Sequence, residues 1–178
     1  MTELRITGGE LGGRRIDAPG RRERTRPTSE RVREAVFSIL GDIGGATVLD
    51  LYCGTGALAF EALSRGAAEA TLVDTRPRLA RENAERLGVG DRARVVRSDA
   101  ARFLGRPPEE GFDLVLCDPP YELPERTWAR VAPLLPTAVA EGGRLMLETA
   151  AERTLAVELP LVRERRYGDT VVRVHGSG

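Results

Sequence analysis

Lysine is absent from this 178-residue sequence: all 27 of its basic residues are arginine, set against 27 acidic ones. Cysteine and histidine are nearly absent too. Cys53 and Cys117 lie far apart, with no CxxC spacing and no histidine beside them, which excludes a disulfide framework and a zinc site and leaves two small buried thiols. The single histidine, His175, falls near the end of the chain and reads as a structural or solvent-facing residue. No run of eighteen apolar residues occurs, and the opening MTELRITGGE lacks the basic-then-apolar layout of a secretory signal. A cytoplasmic protein that crosses no membrane is therefore expected.

What is present is an ordinary globular composition, 41% apolar and 30% charged with 20 glycines. At this length it supports one well-packed core with small additions. The net charge of zero hides an uneven distribution, because residues 20–33 (GRRERTRPTSERVR) carry six arginines against two glutamates. A guanidinium fork donates two parallel hydrogen bonds to one oxyanion, so this segment is a candidate phosphate contact. A merely solvated face is the alternative.

The pattern along the chain changes near residue 45. Before it, Leu4 and Ile6, then Gly8-Gly9 and Gly12-Gly13 ahead of Arg14-Arg15-Ile16, read as a small hairpin. Thr28 or Ser29 can cap a helix on which Val32, Ala35, Val36, Ile39 and Leu40 recur at helical spacing, with Gly41 and Gly44-Gly45 ending it. From residue 46 short apolar runs alternate with helical stretches, as in repeated βαβ units around a parallel sheet. Strands are expected at 47–51, 70–73, 93–96, 112–117 and 144–147, and helices at 57–64, 77–87, 100–104 and 124–135, the last carrying Trp128 in a packing role. Residues 161–167 and 171–175 flank a Gly168-Asp169 turn, so the sheet is expected to end in an antiparallel hairpin. The division is an extension over 1–45 and an α/β domain over 46–178.

The run Val48-Leu49-Asp50-Leu51-Tyr52-Cys53-Gly54-Thr55-Gly56 places a carboxylate and two glycines on the turn between the first strand of that domain and its helix. Ligands of open α/β sheets bind there, outside the carboxyl ends of the strands. Glycine lets backbone approach a ligand, and the helix start offers amide donors. Asp74 follows about twenty residues later at the end of the next strand, where a carboxylate can accept both hydroxyls of a ribose. Asp99 ends the third strand and precedes Ala100. Each of these two acids has a plain alternative as a helix cap, Asp74 for the helix at Pro77 and Asp99 for the helix at Ala100. Ala59 stands where the third glycine of a dinucleotide fingerprint would be, which favours an adenosyl ligand without pyrophosphate.

At the end of the fourth strand stands Asp118-Pro119-Pro120-Tyr121. Two successive prolines hold this backbone rigid and non-helical. An exocyclic amine conjugated to a purine is a poor nucleophile. A carboxylate oxygen of Asp118 and the carbonyl of Pro119, both accepting from such an NH2, give its lone pair sp3 character and aim it at an electrophilic methyl, with Tyr121 stacked on the base. The sulfonium of S-adenosylmethionine is the methyl donor this arrangement calls for.

VLDLYCGTG and DPPY resemble the cofactor and amino-methylating motifs of class I methyltransferases over residues 46 to about 150. GGELGGRRI (8–16), RPTSERVREAVFSIL (26–40) and YGDT (167–170) are similar to the RsmD family of 16S rRNA (guanine(966)-N(2))-methyltransferases. That resemblance implies a Rossmann-like α/β fold: a mostly parallel seven-stranded sheet with a C-terminal antiparallel hairpin and a small N-terminal hairpin and helix. It implies no metal, and an RNA substrate in the assembled or assembling 30S subunit; a monomer is expected. It puts Asp50, Gly54 and Gly56 along the methionine and ribose of S-adenosylmethionine, within a cofactor turn that also includes Tyr52, Cys53 and Thr55. Asp74 takes the ribose, Asp99 and Ala100 the adenine, and Asp118, Pro119, Pro120 and Tyr121 the target guanine. Arg14, Arg15, Arg21, Arg22, Arg24, Arg26, Arg31 and Arg33 become the candidate RNA contacts, positioning through phosphates a guanine that must be flipped out to be reached. Tyr52-Cys53 departs from the family's usual Phe-Ala or Phe-Ser at that point.

Three alternatives stay open. The same tetrapeptide can hold an adenine N6 amine. Glutamine-N5 methylation of a protein is disfavoured, because that family has asparagine where this chain has Asp118. A nucleic-acid-binding protein with an inactive cofactor fold is the reading outside enzymology.

Overall fold

A computed structural model describes residues 2–20 and 29–176. Strands β3 (Thr47–Leu51), β4 (Glu69–Asp74), β5 (Ala93–Arg97), β6 (Phe112–Cys117), β7 (Val139–Ala150), β8 (Leu161–Tyr167) and β9 (Thr170–Gly176) form one seven-stranded sheet in the order β5-β4-β3-β6-β7-β9-β8. The first five strands pair in parallel, while β9 runs antiparallel between β7 and β8. Alternation along β3 sends Val48 to one face of the sheet and Leu49 and Leu51 to the other. Helices α1 (Glu30–Leu40), α2 (Ala57–Ser64) and α3 (Arg78–Leu87) cover the first face. Helices α4 (Ala100–Leu104), α5 (Glu125–Val131) and α6 (Leu135–Ala138) cover the second. Strand order reverses at β3, so a crevice opens above the carboxyl ends of β3, β4 and β6. No helix among the described residues is long and apolar enough to cross a membrane.

The N-terminal hairpin, β1 (Thr2–Arg5) with β2 (Arg15–Ala18), shares the core of the α/β domain through Ile6, Leu11 and Ile16. Its glycine loop closes over α2, a helix that is apolar almost all round and buried on nearly every side. The buried carboxylate of Glu61 accepts from Thr7 N at 2.9 Å, Thr7 Oγ1 at 2.6 Å and Gly8 N at 3.0 Å. Gly9 lies against the end of the helix so closely that a Cβ would come 1.8 Å from the Ser64 carbonyl oxygen. Position 9 has room for glycine alone.

Three expectations shift. Ser29 caps α1 as foreseen, accepting from Val32 N at 3.3 Å, but the buried stripe is Arg33, Val36, Phe37 and Leu40, one step around from the predicted face. The helix expected over 124–135 is broken: α5 ends at Val131, residues 132–134 form a 3-10 turn, and α6 follows, because Pro133 and Pro136 cannot continue the α ladder. Strand β7 is longer than 144–147, since its register to β6 jumps between Phe112 and Leu114, and residues beyond Leu147 pair with β9 alone. Trp128 packs as expected, its Nε1 donating to Ala156 O at 3.0 Å. His175 is buried beneath the hairpin with Nδ1 3.1 Å from Leu159 O, and both cysteines are buried thiols.

Candidate active site

Parallel pairing of β3 with β6 sets Leu51 opposite Cys117. The segments that follow, Tyr52–Gly56 and Asp118–Tyr121, therefore leave the sheet side by side.

The first segment is a turn that only its own residues permit. Gly54 and Gly56 have φ of 53° and 81°, in the left-handed region that a Cβ disfavours. Cys53 N donates to Val73 O at 3.2 Å and Gly56 N to Cys53 O at 2.7 Å, closing the loop onto β4. Asp74, at the end of β4, accepts from Gly54 N at 3.0 Å through Oδ2 and from Arg76 N at 2.8 Å through Oδ1. It does not cap α3, whose first turn has no side-chain cap. A carboxylate has about four lone-pair sites, so both oxygens keep accepting capacity for ligand hydroxyls.

Asp50 is almost wholly buried, with Oδ2 accepting from Ala59 N at 3.1 Å in the first turn of α2. Its Oδ1 has no hydrogen-bond partner. Desolvation pushes the Asp50 carboxyl well above the ordinary aspartate range against the Ala59 hydrogen bond, and the charges of Asp118 and Asp74 push it further. Asp99 stands two residues past the end of β5 and does serve as the cap of α4, its Oδ1 accepting from Arg102 N at 3.0 Å. Capping occupies one oxygen and leaves the carboxylate with accepting capacity to spare.

Tyr52 is the one described non-glycine residue with positive φ, at 61°, and its hydroxyl is buried without a partner. Burial raises its pKa, with Cys117 and Asp99 nearby adding to the shift. Cys53 and Cys117 are raised by burial as well, so neither is a nucleophile. Thr55 is buried near the end of the turn and Ala100 at the start of α4. Four acids, Asp50, Asp74, Asp99 and Asp118, at or just past the ends of neighbouring parallel strands suit a ligand bringing positive charge and hydroxyl or amine donors.

On the other side, Asp118 is half-buried, Pro119 buried, Pro120 exposed, and Tyr121 43% exposed. Two distant elements brace this loop. Arg153 Nη1 donates to Tyr121 O at 2.6 Å and its Nη2 to Leu123 O, while the Tyr121 hydroxyl lies 3.0 Å from Thr170 Oγ1 at the start of β9. Asn83 braces the glycine turn in the same way, donating to Thr55 O and Asp17 O at 3.0 Å each. The hint for Asn83 was in the sequence, an amide on the Ala80-Ala84-Leu87 stripe of α3; for Arg153 there was none.

The arginine candidates divide. Arg33 is corrected: its side chain is fully buried, Nη2 donating to Arg5 O at 2.7 Å, because it occupies the inward stripe of α1, so it does not reach RNA. Arg14 is tied to the carbonyls of Arg86 and Leu87 at the end of α3, 2.8 Å from each, and Arg15 pairs with Glu3 at 2.7 Å. Arg31 is exposed. Arg21, Arg22, Arg24 and Arg26 lie outside the described residues.

Residues 4–176 match the family described as conserved hypothetical protein 95. Among curated proteins, the chain is 40% identical over 126 residues to ribosomal RNA small subunit methyltransferase D of Escherichia coli K12; this match covers 67% of the chain and 61% of that relative's length. It is 32% identical to YlbH of Bacillus subtilis across 97% of the chain and 98% of the relative. Among solved structures, yhhF from Escherichia coli superposes with a TM-score of 0.79 at 34% identity, covering 99% of this chain and 100% of that one. The N-methyltransferase NodS from Bradyrhizobium japonicum WM9 shares the fold alone, with a TM-score of 0.64 at 18% identity over 83% of this chain and 97% of that one.

Proposed function

This chain belongs to the conserved hypothetical protein 95 family, the RsmD type of methyltransferase, and on that premise we propose that it methylates the exocyclic N2 of a guanine in small-subunit rRNA, using S-adenosylmethionine. The observation that carries the proposal is the pairing of β3 with β6, which puts the glycine turn and the Asp-Pro-Pro-Tyr loop at adjacent strand ends. A cofactor seated in one and an amine held by the other are then within reach of in-line transfer.

The cofactor residues fit a nucleoside carrying a cation. Asp74 and Asp99 take its hydroxyl and amine donors, Gly54 lets its chain pass close to the backbone, and Asp50 and Asp74 favour its positive charge. When bound, the sulfonium supplies an electrophilic methyl group. On the acceptor side, the Asp118 carboxylate and the Pro119 carbonyl accept the two N–H bonds of the guanine amine and hold its lone pair toward the cofactor turn. Tyr121 covers the face of the base, held in place by Thr170 and Arg153. Positive charge developing on the nitrogen is stabilised by fixed dipoles already in position. The methylated nitrogen is strongly acidic, so Asp118 needs no raised basicity to accept its proton and pass it to water. The relatives' small-subunit rRNA naming supports RNA as the acceptor.

Asp118→Asn tests the assignment, since it preserves shape and removes the carboxylate. Cofactor affinity by calorimetry should stay near wild type while single-turnover transfer to small-subunit rRNA falls by about 10²–10³-fold; a variant of near-normal turnover would remove the tetrapeptide from the mechanism.

A further inference from the structure

If this chain grips a folded RNA, few of the described N-terminal arginines are free to do the gripping. Of the four described candidates, Arg33 is buried, and Arg14 and Arg15 are held by protein partners, which leaves Arg31. The opposite end of the chain offers further cations. Strand β8 is the outermost strand of the sheet, and every residue from Leu161 to Arg166 is exposed. Its sequence is LVRERRY. The lone carboxylate in it, Glu164, is neutralised by Arg173 at 2.6 Å. Arg163, Arg165 and Arg166 make no ion pair among the described residues; Arg165 and Arg166 touch only backbone carbonyls, of Glu164 and Gly168, at 3.0 Å each.

Cations on an edge strand also keep other strands from pairing with it. Protection alone does not account for this edge, because Leu161 and Val162 beside the arginines are 53% and 56% exposed, an apolar pair that a guarded edge would avoid displaying. Nor does it account for where the strand leads. The hairpin is fastened to the target-base loop by the contact of Thr170 with Tyr121, and to the end of β7 by Ala151 N donating to Asp169 O at 2.8 Å. From its turn, β8 runs outward with Arg165 and Arg163 two residues apart, hence on one face at about 6–7 Å separation. That spacing is comparable to the separation of successive phosphates along an RNA strand.

We infer that the β8–β9 hairpin is a phosphate-gripping arm for the RNA substrate, with Arg163, Arg165 and Arg166 binding the backbone of the nucleotides that flank the flipped base at Tyr121. The inference rests on the RNA-methylating activity proposed above. The hairpin carries no base specificity; it sets register and contributes affinity.

The test is binding of a small-subunit rRNA fragment by the full chain across 50–200 mM salt, with Arg163, Arg165 and Arg166 replaced together by alanine and, separately, by lysine. Three lost phosphate contacts should lower the salt slope by about 2–3 and weaken binding roughly tenfold to a hundredfold near 0.1 M salt. The lysine variant should keep the slope, since charge rather than fork geometry sets it. Cofactor affinity and melting temperature should match wild type in both. An alanine variant with wild-type affinity and slope overturns the inference, returning the hairpin to a solvent or protein-facing surface while leaving the proposed activity standing. Wild-type protein with no affinity for the RNA overturns the activity and the arm together.

Discussion

The two glycines of the cofactor turn are separable by experiment, because their surroundings differ. A Cβ at Gly56 would lie 2.4 Å from Phe60 Cε2, 2.7 Å from Phe60 Cζ and 2.8 Å from Leu72 Cδ2, at a φ of 81°. Phe60 and Leu72 are fully buried and have nowhere to move. Gly56→Ala combines left-handed strain of about 1–2 kcal/mol with overpacking of about 1–3 kcal/mol, for a total of roughly 2–5 kcal/mol. In a domain of this size each kcal/mol shifts the melting temperature by about 2–4 °C, so a drop of roughly 4–20 °C is expected. At Gly54 the φ is 53° and the nearest atom to a Cβ is Tyr52 O at 3.9 Å, with open crevice beyond. Gly54→Ala should therefore cost only the strain, about 1–2 kcal/mol, while its methyl intrudes where the cofactor passes. Differential scanning calorimetry and cofactor titration on both variants decide the matter. A Gly54→Ala protein that binds S-adenosylmethionine like wild type would refute the placement of the cofactor on this turn, and an undiminished melting temperature for Gly56→Ala would refute the packing argument.

The raised Asp50 carboxyl makes stability and binding pH-dependent in opposite senses. The folded state holds the Asp50 proton above the ordinary value of 3.8, so this group's contribution to stability is full below that value and is lost as pH rises through the folded pKa; Asp50→Asn should abolish that descent in a pH series of unfolding curves. A cationic ligand pulls the same carboxyl down, so cofactor binding should release protons and tighten with pH across the elevated range, an effect that calorimetry in buffers of differing ionisation enthalpy would detect and that the asparagine variant should lack. Glu61→Ala strips the partners from Thr7 N, Gly8 N and Arg65 and should destabilise by about 3–5 kcal/mol, where Glu61→Gln costs less; equal melting temperatures for wild type and the alanine variant would show that the glycine loop is not anchored on α2.

Local pattern made the parallel sheet and the place of the candidate site legible. Strand ends at Leu51, Asp74 and Cys117 follow from apolar runs that stop at polar or glycine residues, and the reactive groups lie within a residue or two of those ends. What sequence periodicity missed was burial against expectation. Arg33 takes the inward stripe of α1 because its guanidinium finds the Arg5 carbonyl there, and an amphipathic pattern assigns such a position to Val32. Asp50 reads as a ligand contact, yet one of its oxygens braces α2. The clamps on the target loop were illegible for another reason: Arg153 and Thr170 are 32 and 49 residues from the Tyr121 they hold, and no local rule pairs residues so far apart.

Transfer of labelled methyl from S-adenosylmethionine to small-subunit particles and to naked 16S rRNA, followed by nucleoside analysis of the product, tests the central claim most directly. Label recovered as N2-methylguanosine, and lost with Asp118→Asn, is the predicted result. Label in N6-methyladenosine or in protein, or no label from a chain that binds the cofactor, would contradict it.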